Sequence, residues 1–161
     1  ALNAMAGDEK MDDFFRRLKA NGVRVVDGNS VVRDLVARGE VKVGLTDTDD
    51  VNVAIEDGQP IAMVLPDAAG LGVPVMPNMV SLIAKGPHAE EGQRLMDYLL
   101  SADVERQLAQ SEAVQIPLHA GVPGPRNIPA IETFKPMTLD YTKAAGRVED
   151  VTGRLAGILG L

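Results

Sequence analysis

Apolar residues recur at helical spacing through much of this chain. Met11, Phe14, Phe15 and Leu18 fall on one face of a segment from Asp8 to Ala20, which Asn21-Gly22 brings to a stop. Val23 to Val26 then forms a short apolar run. The turn Asp27-Gly28-Asn29-Ser30 offers N-cap residues for a helix through Val31, Val32, Leu35 and Val36 that closes at Gly39. Val41 to Leu45 is a second run. A polar loop, Thr46-Asp47-Thr48-Asp49-Asp50, precedes a helix through Val51, Val53, Ala54 and Ile55 that closes at Gly58. Ile61 to Leu65 is a third run, ended by Pro66.

Read as strands, the short runs alternate with the helices. Alternation of this kind predicts parallel strands joined by helical crossovers, an α/β layered domain. Residues 68–77 are rich in Gly and Pro and predict a crossover, followed by a strand over Val80 to Ala84. Helices are predicted from His88 to Leu100, from Asp103 to Gln110, around Leu139 to Ala145 and from Val148 to Leu159. The stretch from Ala113 to Pro136 is Pro-rich and irregular.

Composition narrows the function classes. Hydrophobic residues make up 45% and charged residues 24%, the balance of a globular domain. Aromatic residues are 3% with no Trp, so the core must be aliphatic and no stacking platform for bases is in view. A formal charge of -7 disfavours nucleic acid and anionic membrane surfaces, which need a basic footprint. With no cysteine, thiol nucleophiles and zinc thiolate sites are excluded. No apolar run reaches the roughly 18 residues of a membrane span. The opening Ala1-Leu2-Asn3-Ala4-Met5 lacks a basic leader and looks like the tail of a helix, so we expect residues upstream of it.

Two places carry candidate chemistry. In the Thr46 to Asp50 loop three carboxylates crowd into four residues at the end of a predicted strand. Close carboxylates repel, which favours a bound cation, an ammonium group or a metal. The competing reading is capping, with Asp47 or Thr48 at the N-cap and Asp49 and Asp50 complementing the helix dipole. An EF-hand is excluded, because Val51 and Asn52 stand where a ligand and a Gly are required. The Asn29-Ser30 turn opens a helix, where free N–H groups can hold a phosphonate, carboxylate or carbonate, or the turn serves as an N-cap alone. His88 and His119 lie on the surface by context. Tyr98 falls in an apolar helical stripe with Leu95 and Leu99 and is assigned to the core. Met76 and Met79 are assigned to packing rather than to ligation.

In order along the chain, Asn29-Ser30, Gly39-Glu40, Val43 to Asp50, Pro77-Asn78-Met79-Val80, Asp97 to Ser101 and Ile116-Pro117 resemble ABC-transporter substrate-binding proteins of the ferric-iron-binding type. The resemblance covers about Asp8 to Pro117. It implies a bilobal periplasmic-binding-protein-like fold of type II, similar in architecture to transferrin lobes. Residues 1–72 would be the later part of the second lobe. Residues 73–161 would hold a crossover strand and C-terminal helices returning to the first lobe, with the N-terminal half of the parent absent.

The resemblance also implies a function. It is a non-enzymatic receptor, periplasmic or lipid-anchored outside a Gram-positive cell, that delivers a small ligand to an ABC permease without inserting in the membrane. The ligand contacts carried over are Asn29, Ser30, Thr46, Asp47, Thr48, Asp49 and Asp50. Asp49 and Asp50 stand where ferric-binding members place two tyrosines, so any metal would rest on them. No resident cofactor is implied. Iron(III) stands as a transported ligand beside a small polar or zwitterionic solute such as an aminophosphonate. The alternative is a ligand-sensing or enzymatic domain on the same fold, such as a deaminase of the porphobilinogen type.

Overall fold

The computed structural model describes residues 2–161, and these divide into two compact units. The first joins the two ends of the chain, residues 2–26 and Met137–Leu161; the second is the central Asp27–Pro136.

The end unit holds α1 (Leu2–Ala6), α2 (Asp8–Ala20), α7 (Tyr141–Ala145) and α8 (Val148–Leu159). α2 begins with Asp8 and Glu9 and ends with Arg17 and Lys19, charges that complement the helix dipole at both ends. Its last carbonyls are taken by Asn21 and Gly22: Asn21 N–H donates to Arg17 at 3.0 Å and Gly22 N–H to Lys19 at 2.9 Å. Gly22 can do this because its φ of +73° is in the left-handed region that glycine enters without a Cβ penalty. α2 packs on α1 and α8, burying Met11 to 1% exposure. Val151, Leu155 and Ile158 of α8 are half-buried, as the spacing of its apolar face requires.

The central unit holds α3 (Asn29–Ala37), α4 (Thr48–Glu56), α5 (Ala89–Leu99), α6 (Ala102–Gln110) and a 3₁₀ turn at Ile131–Thr133. α3 packs on α4 and α5 on α6. Leu35, Val51, Ala54, Val73, Val104, Ala109, Val114 and Ile128 form its buried apolar set, with Asn52 buried among the polar residues. The Pro-rich segment is fastened by Glu105 of α6. Its carboxylate accepts the backbone N–H of Leu118 at 3.2 Å, the backbone N–H of His119 at 2.8 Å, and contacts His119 Nδ1 at 2.8 Å. Burial pushes the Glu105 carboxyl up, but the bonds from His119 and Leu118 outweigh it and hold it below its ordinary value.

The predicted parallel sheet is not there. The described residues are helical and irregular, and their one β-contact is an isolated parallel bridge between Val73 and Pro136, with Val73 N–H donating to Lys135 at 2.9 Å. The α/β parallel-sheet lobe expected from the pattern is therefore corrected to a helical architecture. The runs 23–26, 41–45, 61–65 and 80–84 belong to no ladder. Their apolar β-branched residues favour extended backbone, but a strand exists only where a neighbour accepts its hydrogen bonds. The 41–45 run lies instead across α3. A Cβ on Gly44 would stand 2.3 Å from Val32 Cγ1, so only glycine permits that approach. Its outer residues Val43 and Leu45 are 82% and 75% exposed.

Two core assignments are also corrected. Tyr98 is 56% exposed, because no residue of α5 is buried and its Leu95–Tyr98–Leu99 stripe faces outward. Met76 and Met79 are exposed rather than packed, since the crossover that carries them runs over the surface.

Candidate ligand site at the starts of two helices

α3 and α4 begin side by side within the central unit. Gly28, at φ +115°, occupies the N-cap position of α3 and carries no side chain to cap it. Asn29 is thus the first helical residue and not the cap, with Ser30 exposed next to it. The freed Asn29 side chain reaches across 18 positions: its Nδ2 donates to Asp47 Oδ2. Thr46 Oγ1 closes the same junction by donating to the Asn29 carbonyl at 3.1 Å. The two loops are tied from both sides.

Asp47 occupies the N-cap position of α4 with extended backbone, φ -95° and ψ 174°, but makes no side-chain cap bond. Its carboxylate serves Asn29 instead. The capping expectation therefore holds for its backbone position and fails for its side chain. Thr48 is the first residue of α4, and Asp49 and Asp50 lie in its first turn. One carboxylate oxygen from each of Asp47, Asp49 and Asp50 falls within 4.8 Å of the others. Asp47 is exposed and the other two are half-buried.

Burial and the neighbouring Asp47 carboxylate push the Asp49 carboxyl above its ordinary value of 3.8, against bonds from the backbone N–H groups of Asp49 and Asp50. Burial pushes the Asp50 carboxyl up too, with Asp47 adding to the rise. Arg33 opposes it: Nη1 lies 3.1 Å from Asp50 Oδ1, while Nε donates to Asp34 at 2.9 Å. The Arg33 guanidinium is thus divided between Asp34 and Asp50.

Two residues of this neighbourhood escaped the sequence reading. Arg33 is one helical turn after Asn29, so i,i+4 spacing places both on one face. That signal was available. Asn52 is three residues after Asp49 and fully buried at 0% exposure. Its Oδ1 accepts from Asn127 Nδ2 at 3.0 Å, and its own Nδ2 has no partner. The partner lies 75 positions away, so no local pattern marked it.

The histidines sit away from this junction in sequence, with His119 engaged by Glu105 and His88 exposed at the start of α5. No helix among the described residues is long and apolar enough to cross a membrane.

Residues 3–130 match the protein family described as bacterial extracellular solute-binding protein. No curated protein and no solved structure matches the chain. The chain therefore belongs to the bacterial extracellular solute-binding proteins, a family with an extracytoplasmic solute-binding role for an ABC transporter.

Proposed function

We propose that the junction of α3 and α4 contributes to the solute site of an ABC-importer receptor, and that the solute is a small zwitterion such as an aminophosphonate. The observation that carries this reading is the surplus of negative charge within 4.8 Å at Asp47, Asp49 and Asp50, set beside the start of α3, which no side chain caps. An ammonium group placed among the carboxylates relieves their repulsion and the burial of Asp49 and Asp50. A phosphonate is accommodated by the first-turn N–H groups of α3 and the Ser30 hydroxyl. Asn29 and Thr46 tie the two loops together, and Thr48 starts α4 beside them.

Iron(III) fits this set less well. Ferric sites in the resembling proteins use two tyrosines, whereas both tyrosines here stand elsewhere, Tyr98 on α5 and Tyr141 on α7. Carboxylates alone at Asp49 and Asp50 make a hard-oxygen site without phenolates.

A thermal-shift screen of refolded protein tests the reading, with 2-aminoethylphosphonate against iron(III) citrate. At about a hundredfold its dissociation constant a ligand adds roughly 2.7 kcal/mol to stability, a clear rise in melting temperature. The expected result is a rise with the zwitterion that both Asp49→Ala and Asn29→Ala abolish, with little change in the ligand-free melting temperature. A rise with iron(III) alone retires the zwitterion. Undiminished affinity in both variants retires the site.

A further inference from the structure

The chain has seven methionines, and the fold treats two of them differently from the rest. Met11 is core at 1% exposure. Met5, Met63, Met96 and Met137 are half-buried. Met76 and Met79 stand 75% and 88% exposed, with only Pro77 and Asn78 between them. Thioethers are apolar and gain nothing from standing in water. The backbone that carries them is nonetheless anchored. Val73, just upstream, is buried and bonded to Lys135, and the Asn78 amide donates to Gln115 Oε1. The two sulfurs are thus held outward on a fastened segment.

The chain also lacks cysteine, so no thiol competes for an oxidant. Its family works outside the cytoplasm. We propose that Met76 and Met79 form a reversible oxidation site, converted to the sulfoxides by a peroxide ahead of the other five methionines. A sulfur lone pair attacks one peroxide oxygen and the O–O bond breaks. That oxygen stays on sulfur, and the other takes up the protons and leaves as water. Each methionine gives up two electrons and each peroxide is reduced. A thiol-dependent sulfoxide reductase reverses the step: two thiols become a disulfide and the oxygen leaves as water.

The consequence is confined to the surface. Met76 and Met79 precede Leu82 and Ile83, which are 42% and 81% exposed, so residues 76–83 present a run of apolar side chains to solvent. Two sulfoxides make the head of that run polar, on side chains that already stand mostly in water.

The test is a time course of the full chain in hydrogen peroxide, read by peptide mass mapping. Met76 and Met79 are expected to gain one oxygen each at rates on the order of tenfold or more above that of Met11 and ahead of the half-buried four. The melting temperature is expected to hold through those first two oxygens, and a sulfoxide reductase with a dithiol is expected to remove them. In the Met76→Leu/Met79→Leu double variant the early two-oxygen uptake disappears while the melting temperature stays. Equal rates across all seven methionines, a fall in melting temperature with the first two oxygens, or oxygens that the reductase cannot remove would each overturn the proposal.

Discussion

Asp8 and Asp12 in the end unit, and Asp47, Asp49 and Asp50 in the central unit, are both groups of carboxylates at the starts of helices, yet their surroundings are opposite. Arg147 lies 3.0 Å from one Asp8 oxygen and Arg154 2.7 Å from the other. Arg154 also reaches Asp12 at 2.6 Å, with Arg16 at 3.4 Å. Three guanidiniums serve two carboxylates. The Asn3 amide and Arg147 hold the Asp8 carboxyl below its ordinary value. In the central unit Arg33 pairs with Asp50 of the three carboxylates, and burial pushes Asp49 and Asp50 up. The first group binds the chain's two ends to each other, since Asp8 and Arg154 are 146 positions apart. Acidic clusters in one molecule thus differ in how many guanidiniums reach them.

The largest expected effect breaks the arginine-rich group, in which Asp12 Oδ2 is paired while its buried Oδ1 has no partner among the described residues. Arg154→Met leaves Asp12, whose side chain is 13% exposed, without its closest cation. We expect a clear fall in the urea midpoint, smaller than for a fully buried pair because Arg154 is itself partly in water. A loss near zero would make the network a surface decoration and remove the contrast with the central unit.

A smaller effect is expected at the acidic group of the central unit. Arg33→Gln removes the guanidinium paired with Asp50 and should cost about 1 kcal/mol, since two half-buried charges are separated. Asp50→Asn in the same chain should restore most of it, and added salt part of it. Melting curves of the single and double variants decide this, and a single variant with wild-type stability would show that Arg33 does not neutralise Asp50.

The smallest effect is on titration, and its sign separates the two groups. The folded pKa of Asp8 is depressed, so its stabilising contribution is present above 3.8 and is lost as pH falls through the lower folded value. Asp49 and Asp50 are raised, so their contribution is full below 3.8 and is lost as pH rises through the folded values. Carboxyl-carbon NMR titration should therefore place Asp8 below 3.8 and Asp49 and Asp50 above it, and Asp49→Asn should flatten the second trend. A common midpoint for all three would erase the comparison.

Much of the helical content was legible in the order of residues. The segments Asp8–Ala20 and Val148–Leu159 are bounded as their apolar spacing predicts, the first also as Asn21-Gly22 predicts. α4 starts at the acidic loop and stops before Gly58, and α5 and α6 fall within a residue of expectation. The acidic loop itself was visible as three carboxylates in four residues. These features are local, because a helix hydrogen bond spans four residues and charge density along a segment needs no partner.

Everything that required a second segment was decided by tertiary structure. Val41–Leu45 and Ile61–Leu65 have the composition of strands, but a ladder is a relation between two stretches of backbone, and neither enters one. Whether an aspartate is satisfied depends on where an arginine 17 or 142 positions away is carried, which is why Asp50 and Asp12 look alike in sequence and differ in the fold. The same holds for Met76 and Met79, whose exposure follows from what failed to cover them. Propensity acts over one turn of chain, whereas neutralisation, pairing and burial are set by distances that only the folded molecule defines.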